Sequence, residues 1–374
     1  MRLHRPSALL LGATLVLGAV ATPGIAFAGT PSTTGTPTPV AASDVLAALK
    51  SAEATTASAG QSGWDEKLTA SDPSGANSAT MEAKYAVLEG RGYVSLSGNP
   101  SIKMIQVQSR GTYQTTPLLG SMLGAARLQR VLNAIGRPNA TWIYFPDPTV
   151  DLTSADTGMT SMSPDTFLSG LVDPSATTIN DGPSDTPPTQ TVGADGSTTY
   201  TFDASFVVGQ SVSGSSSGTG TVSDVTETGT VSVTLDASGA ITRYTDDMTQ
   251  EKAVGTFAYG PQHVALPAPS QVVTMEQIVR GLPLLTMAPD ARKIATGTRT
   301  KVAHTSHTAN HTVRVIRRVA ARLALQRNGA DGERVFTTRH VPHGVRIVAT
   351  NPFTHAKVAY TIKAKGKRAV VRRA

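Results

Sequence analysis

The sequence predicts an α+β protein, in which an antiparallel sheet is followed by a small basic module. Between residues 64 and 259, short stretches place apolar residues at every second position and are separated by Gly, Asp and Pro, as in half-buried antiparallel strands. A few other stretches have apolar residues at helical spacing. The charge divides the chain, because residues 292–374 hold 19 Lys or Arg against two acidic residues, whereas residues 29–291 hold 12 against 24. Two parts of opposite charge meet different partners.

The start of the chain has the composition of a signal peptide. A basic beginning is followed by an apolar run at 8–20, too short to span a bilayer comfortably, and Ala-Phe-Ala at 26–28 fits the small-residue cleavage rule. We therefore expect residues 1–28 to direct export and to be removed. An uncleaved N-terminal anchor is the alternative. Residues 29–42, rich in Thr, Pro and Gly, are predicted to form a flexible spacer.

The chain contains no cysteine. Disulfide bonds, a thiol nucleophile, a cysteine zinc site and an acylated N-terminal cysteine are therefore excluded. The chain that remains after removal of the leader is long enough to bury a core, so packing alone is expected to hold the protein together.

Residues 43–115 are predicted to form a helix followed by a run of strands. Ser43 is a candidate N-cap, and apolar residues follow it at helical spacing, so a short amphipathic helix is expected to about residue 55. Alternating patterns then predict strands at 64–70, 79–88, 92–96, 102–108 and 111–115.

The hydrophobic period changes at residues 121–135, before Gly136 ends the pattern. Four apolar side chains recur at i, i+3, i+4 and i+7, which predicts a helix with an apolar stripe: Leu128, Val131, Leu132 and Ile135. Such a stripe either packs on the sheet as plain core or covers a ligand cavity as a lid. Met122 and Leu123 are candidates for the mouth of that cavity, because Met adapts to irregular ligands.

The chain then returns to short strands and two further helices. Helices are expected at 163–172 and 274–281, and strands at 142–145, 198–208, 229–235, 240–246, 254–259 and 263–266. The Ser, Gly and Thr tract at 211–220 is predicted to be a mobile hairpin tip or an insertion.

Residues 282–312 are predicted to be a linker and residues 313–374 a separate basic module. A basic amphipathic helix at 313–326 is of the type that lies on anionic surfaces, and three short strands are expected after it. The candidate contacts with an anionic surface are Arg314, Arg317, Arg318, Arg322, Lys365, Lys367 and Arg368. Since export is predicted, an anionic envelope polymer or membrane surface is the expected partner, and nucleic acid is not. A plain solvated basic tail is the alternative.

No arrangement of residues in the sequence indicates catalysis or a metal site. Gly-Ser-Ser-Ser-Gly at 214–218 matches the G-x-S-x-G elbow, but that elbow needs a strand before it and a helix after it, so we expect a chance match. His304, His307 and His311 are close together, yet their neighbours favour coil and no acidic residue is near to orient them. We therefore predict neither a metal site, nor an enzyme, nor a bound cofactor.

The order of elements resembles the mycobacterial LppX/LprG-type lipoproteins, which share their fold with the LolA and LolB carriers. The resemblance covers roughly residues 43–273. It rests on the opening helix and on Thr-Trp-Ile-Tyr at 141–144, Ser-Thr-Thr-Tyr-Thr-Phe at 197–202 and Val-Ser-Val-Thr-Leu-Asp-Ala-Ser-Gly-Ala-Ile-Thr-Arg at 231–243. It implies a strongly curved antiparallel half-barrel over 43–281, closed by short helices over an apolar cavity that binds acyl chains and has no catalytic residues. The stripe at 128–135, with Met122 and Leu123, would line that cavity.

The chain departs from this family in two ways. It lacks the lipobox cysteine, so it is not expected to carry a lipid anchor, and its basic module and Ser/Gly tract are not standard parts of the fold. The leading hypothesis is a non-enzymatic exported protein that binds a lipid or other amphiphile in the cell envelope. The alternative is a secreted surface or adhesion protein, whose basic module binds anionic envelope polymers and whose half-barrel is a scaffold.

The short leader with its Ala-Phe-Ala site predicts that the mature protein begins at Gly29. N-terminal sequencing of secreted material checks this expectation. Secreted protein that begins at Met1 would contradict it.

Overall fold

The computed structural model describes residues 35–98, 101–154, 158–180, 186–213, 221–249, 251–304, 309–331 and 334–374. The predicted signal peptide, residues 29–34 of the spacer and residues 214–220 of the Ser/Gly tract lie outside these ranges. None of the described helices is long and apolar enough to cross a membrane. The chain divides into two compact units, which we describe separately: unit 1 runs up to Gln114 and continues over Pro146–Leu266, and unit 2 comprises Thr115–Phe145 and Pro267–Ala374.

The elements in chain order are as follows. The helices are α1 (Ala42–Gly60), α2 (Thr116–Leu123), α3 (Ala125–Ala134), α4 (Pro164–Val172), α5 (Met275–Gly281), α6 (Met287–Ala303) and α7 (Ala309–Asp331). The strands are β1 (Thr38–Pro39), β2 (Trp64–Ser71), β3 (Ser78–Ala86), β4 (Arg91–Leu96), β5 (Ile102–Val107), β6 (Gly111–Thr115), β7 (Trp142–Pro146), β8 (Thr177–Ile179), β9 (Thr189–Val192), β10 (Thr198–Ser213), β11 (Thr221–Leu235), β12 (Ile241–Met248), β13 (Lys252–Tyr259), β14 (Val272–Thr274), β15 (Phe336–Val341), β16 (Gly344–Thr350), β17 (Lys357–Lys365) and β18 (Arg368–Arg373).

Unit 1 is built on a large, curved and open antiparallel sheet. Its strands follow the order β1-β9-β10-β11-β12-β13-β2-β3-β4-β5-β6, with β8 paired to β10. Thr and Ser side chains form cross-strand pairs, such as Thr199 with Thr234 at 3.0 Å and Thr201 with Ser232 at 2.9 Å between side-chain oxygens. These hydroxyl pairs favour strand pairing while leaving the opposite side of each strand for apolar residues.

The apolar face of β10–β13 is covered by α1 and α4. Val45, Leu49 and Ala52 of α1 pack with Leu168 and Leu171 of α4 in one buried cluster. The sheet contributes the other large members of this cluster: Phe202, Phe206, Val231, Val233, Leu235, Ile241, Tyr244 and Phe257. The predicted α+β class, with short helices on a curved antiparallel sheet, is therefore confirmed.

Unit 2 has two layers. Helices α6 and α7 pack on one face of a four-stranded antiparallel meander with the order β15-β16-β17-β18. The side chain of Asn328 near the end of α7 exchanges two hydrogen bonds of 2.8 Å with the backbone of Phe336, which fixes the helix against the first strand. Strands β7 and β14 of this unit form a parallel pair.

The predicted helix at 121–135 is two helices in the structure. Gly124 separates α2 from α3 with a φ of +83°, a conformation that L side chains adopt only under strain. Both helices belong to unit 2 rather than to a half-barrel over 43–281. At the end of α3, the Asn351 amide donates a 2.7 Å hydrogen bond to the carbonyl oxygen of Ala134, which ties the helix to the β16–β17 connection.

The predicted linker at 282–312 is also corrected. Most of it is the helix α6, whose buried face recurs at helical spacing: Met287, Asp290, Ala291, Ile294, Ala295, Thr298 and Val302. Several positions of this face are small or polar, namely Asp290, Ala291, Ala295 and Thr298, so the hydrophobic periodicity of the helix is weak in the sequence. A fourth strand, β18, occupies the basic end of the chain, which the sequence analysis left without structure. Residues 263–266 are irregular rather than a strand.

Glu66 places an ionisable carboxyl group in the apolar core of unit 1. Its side chain is 1% exposed and lies opposite Ala83 and Phe257 on the neighbouring strands. Within the described residues, its Oε2 has no hydrogen-bond partner. Burial raises the pKa of Glu66 to about 8.

A raised folded-state pKa means that the folded protein holds this proton up to a higher pH than the unfolded chain. The stability that the protonated Glu66 contributes is therefore fully present below about pH 4.5 and is lost as the pH rises towards 8. We expect Glu66→Gln to remove this loss, so that the variant is more stable than the wild type at pH 8 but not at pH 4.5. Urea denaturation followed by circular dichroism at several pH values measures the difference. If the free energies of unfolding of the two proteins change with pH in the same way, Glu66 is not the cause of the loss.

Candidate anion-binding face

The β15–β18 sheet has two chemically distinct faces. Its inner face is apolar, and its members are buried against the helices of unit 2: Phe336, Val345, Ile347, Ile362 and Ala369, with Val358, Tyr360 and Val371 partly buried. Because successive side chains of a strand point to opposite sides, the residues between them lie on the outer face. We call this outer surface the basic sheet face.

The basic sheet face carries a row of residues that crosses all four strands. Arg339 of β15 is paired in register with Arg346 of β16, which is paired with Thr361 of β17, which is paired with Arg372 of β18. The three arginines are exposed. Four further basic residues of β17 and β18 are exposed on the same side of the sheet: Lys357, Lys363, Lys365 and Arg368.

This face has no acidic residue of its own, since residues 334–374 contain neither Asp nor Glu. The acidic side chains described in unit 2 are already paired. Asp290 accepts a 2.7 Å hydrogen bond from Arg327, and Glu276 lies 3.6 Å from Arg280. Unit 2 as a whole holds 23 Lys or Arg against four Asp or Glu, a net charge of +19. Residues 35–114 and 146–266 of unit 1 hold 8 against 22, a net charge of −14.

The predicted helix contacts divide into two groups. Arg314, Arg318 and Arg322 are exposed along one side of α7, whereas Arg317 donates from Nε to the carbonyl oxygen of Gly344 at 3.2 Å. Arg317 is therefore part of the fold. The apolar stripe of α7, including Ile316, Ala320 and Ala324, is buried in the core of unit 2 and is not available to enter a membrane. The predicted amphipathic helix therefore has no exposed apolar side with which to lie on a membrane surface.

The predicted residues Lys365, Lys367 and Arg368 lie together at the exposed turn between β17 and β18. Lys365 and Arg368 are paired in register and extend the basic sheet face along these strands. The exposed arginines of α7 lie on the other side of the unit, because α7 packs on the inner face of the sheet. The structure thus joins the turn residues to the sheet, and it separates both from the helix.

The residues predicted to line a lipid cavity form the core of unit 2 instead. Leu128, Val131, Leu132 and Ile135 are buried in one cluster with residues of α5, α6, α7 and the β15–β18 sheet. Leu123 is partly buried at the edge of this cluster, whereas Met122 is 77% exposed. The stripe does cover an apolar surface, but that surface is the packed interior of unit 2, not a cavity of unit 1.

Two depressions in unit 1 are polar. One, of about 570 Å³, is lined by Asn180, Asp203, Thr228, Gly229, Thr230, Asp247, Met248 and Thr249. The other, of about 320 Å³, lies between α1 and the turn after β11, around Thr55, Tyr200 and Asp236. Apolar ligands are held by predominantly apolar linings, which neither depression offers.

The remaining sequence candidates are outside the described residues in whole or in part. The Gly-Ser-Ser-Ser-Gly match at 214–218 is not described, nor is His307, nor the side chain of His311. His304 is exposed at the end of α6. Among the residues that the structure describes, no group of three or more His, Cys, Asp or Glu could hold a metal ion.

The central members of the basic sheet face are not among the residues predicted from the sequence to contact an anionic surface. Arg346 lies between the buried residues Val345 and Ile347, and Lys363 follows the buried Ile362, so alternation marks these two positions as outward-facing. The alternation was visible, but the strand register that brings these residues into one row depends on which hairpins form.

Comparisons with known proteins show little similarity. No family model matches the chain, and no curated protein matches it. Among solved structures, the chain is similar to LprF from Mycobacterium bovis, with 11% identity and a TM-score of 0.29 over 62% of this chain and 98% of that chain. A likeness with so low an identity and TM-score supports no statement about ligand or activity.

The new position of the α3 stripe predicts its mutational behaviour. Leu132→Ala is expected to lower the free energy of unfolding by about 2–5 kcal/mol, because it leaves a cavity in the core of unit 2. Met122→Ala is the control, and it is expected to change stability by less than about 0.5 kcal/mol. Urea denaturation of both variants provides the measurement, and similar stability of the two would contradict the placement.

Proposed function

We propose that this protein is an exported, non-catalytic binding protein, attached to an anionic polymer of the cell envelope through the basic sheet face of unit 2. The observation that carries the proposal is the row of Arg339, Arg346 and Arg372, exposed together on a face without acidic residues. Lys and Arg on a regular surface attract polyanions over distances set by the ionic strength. The predicted leader supports an extracytoplasmic location.

The geometry favours a polymer over a membrane. Binding of an amphipathic helix to a bilayer requires an exposed apolar face, and the apolar face of α7 is buried against the sheet. On the basic sheet face, the exposed apolar side chain is Val370, surrounded by charged neighbours. Attraction by this surface is therefore electrostatic, and it should weaken as salt is added. Unit 1, with its net negative charge, adds no attraction to a polyanion.

Binding of a lipid or other amphiphile by unit 1 is the second candidate, and the curved, open sheet closed by α1 and α4 favours it. The residues predicted to line a lipid cavity do not support this candidate, because they belong to unit 2. Mass spectrometry of organic extracts of the native purified protein tests this candidate. Recovery of a stoichiometric lipid would support it, and extracts without lipid would count against it.

Two matched variants test the polymer proposal in the full-length mature protein. Arg339→Thr/Arg346→Thr/Arg372→Thr removes three charges from the sheet, and Arg314→Gln/Arg318→Gln/Arg322→Gln removes three from α7. We expect the sheet variant to lose most of its binding to purified cell wall and the helix variant to lose little. For a single-stranded polyanion, the slope of the logarithm of the association constant against log salt should become shallower by roughly 2 in the sheet variant, at about 0.7 for each anionic group that is no longer neutralised.

Co-sedimentation with purified cell wall and with anionic vesicles, at several salt concentrations, measures both effects. Equal losses in the two variants would show that only total charge matters. Stronger binding to vesicles than to cell wall would favour a membrane surface instead of a polymer. Binding of the wild type that ignores salt would contradict the electrostatic mechanism.

A further inference from the structure

We infer that Arg339 and Arg346 form a subsite for a single phosphate group, so that the polymer bound by the basic sheet face is a phosphate-bearing chain. This inference rests on the proposed function and makes its ligand class specific. It starts from the register of the β15–β16 hairpin, which places the two arginines directly opposite each other. Directly paired residues of an antiparallel sheet have Cβ atoms about 5 Å apart on the same side of the sheet.

The two guanidinium groups have no counter-ion of their own. Both side chains are exposed, and neither makes an ion pair or a side-chain hydrogen bond within the described part of the chain. Like charges placed directly opposite each other weaken strand pairing. A bound anion that contacts both groups would relieve this repulsion. No side-chain carboxylate of residues 334–374 can do so, because these residues include neither Asp nor Glu.

The geometry of the donors favours a tetrahedral oxyanion. A guanidinium group presents its N–H donors as a planar fork, which takes two acceptor oxygens or two lone pairs at once. A carboxylate offers two oxygens in one plane, which satisfy one fork. A phosphate group directs its unesterified oxygens along different tetrahedral directions, so forks from two neighbouring strands can share it. Two lysines at the same positions would keep the charge but lose the forks.

The rest of the row fits a chain that continues across the strands. Thr361 follows Arg346 on the next strand and supplies a hydroxyl donor, and Arg372 follows on the last strand. With strands about 4.8 Å apart, the row from Arg339 to Arg372 spans three spacings, roughly 14 Å. Guanidinium and hydroxyl groups line it, and no carboxylate interrupts it. A chain with repeated phosphate groups can therefore contact the row more than once.

The experiment compares two soluble probes, inorganic polyphosphate and poly-glutamate of matched charge number, each at the same low and high salt concentrations. The protein variants conserve charge. Arg339→Lys/Arg346→Lys alters the subsite, and Arg314→Lys/Arg318→Lys on α7 is the matched control. We expect the subsite variant to bind polyphosphate about ten-fold more weakly, a factor typical of losing one good charge-assisted pair. Its affinity for poly-glutamate should fall by a smaller factor, because one carboxylate uses only one fork, and the control should keep both affinities.

The outcomes separate this inference from the proposed function. If the subsite variant binds polyphosphate as tightly as the wild type, Arg339 and Arg346 do not form a phosphate subsite. Salt-dependent binding of both probes in that case would still support the proposed function. If both probes lose affinity equally, the site does not select phosphate, and the inference is overturned. If the wild type binds neither probe at low salt, the proposed function itself fails. Thermal unfolding of each variant without probe confirms that the fold is intact.

Discussion

The core of unit 2 is the constraint on which the rest of this structure depends, because it joins segments that are far apart in the sequence. The apolar stripe of α3 packs in the same cluster as the inner face of a sheet that begins more than 200 residues later. The hydrogen bond from Asn351 to Ala134 spans 217 positions and fixes this arrangement at the end of α3. Without the stripe, the apolar residues of α5 and of Leu282–Thr286 that it packs against would meet water, whereas α6 and α7 would still cover the sheet. Since the chain has no cysteine, packing of these apolar surfaces alone stabilises the unit.

Burial on one side of the sheet determines the chemistry on the other. Side chains alternate along each strand, so a sheet whose inner face is filled with Val, Ile, Phe and Ala leaves its intervening residues outside. In this unit those residues are mainly Arg, Lys and Thr. The basic sheet face is therefore rigid, since every strand that presents it is paired and backed by helices. A rigid arrangement of charges binds a polyanion with less loss of conformational freedom than a disordered basic tail does.

The structure also separates basic residues that maintain the fold from those that are free for a partner. Arg317 donates to the carbonyl oxygen of Gly344 at the β15–β16 hairpin, and Arg327 pairs with the buried carboxylate of Asp290. Removing such a residue would disturb the unit through lost hydrogen bonds, whatever its effect on binding. Arg339 and Arg346 have no such role within the described residues, so their charge is available to a ligand. Net charge alone does not distinguish these two groups.

The sequence by itself determined the local structure and the charge division of this protein. Alternation of apolar and polar residues located β2 to β6 and β15 to β17, since a strand with one buried face requires that pattern. The absence of cysteine is also evident directly, and the composition of the first residues predicts a cleaved leader. The helical periodicity of α3 is clear in the sequence. An apolar stripe shows that this side of the helix is buried, but it does not show which segment covers it. The buried face of α6 was missed because Ala and Thr occupy several of its positions.

Only the tertiary structure decided where α3 packs, which arginines are free and which residues share the basic sheet face. These properties depend on contacts between segments that no local pattern connects. The sequence predicts that α3 covers the half-barrel as a lid, whereas in the structure α3 packs in the core of unit 2. The register of three hairpins placed Arg339, Arg346 and Arg372 in one row, whereas a shift of one residue would have sent them to the inner face. Charge could be counted from the sequence, but its arrangement in space depends on how the apolar residues are buried.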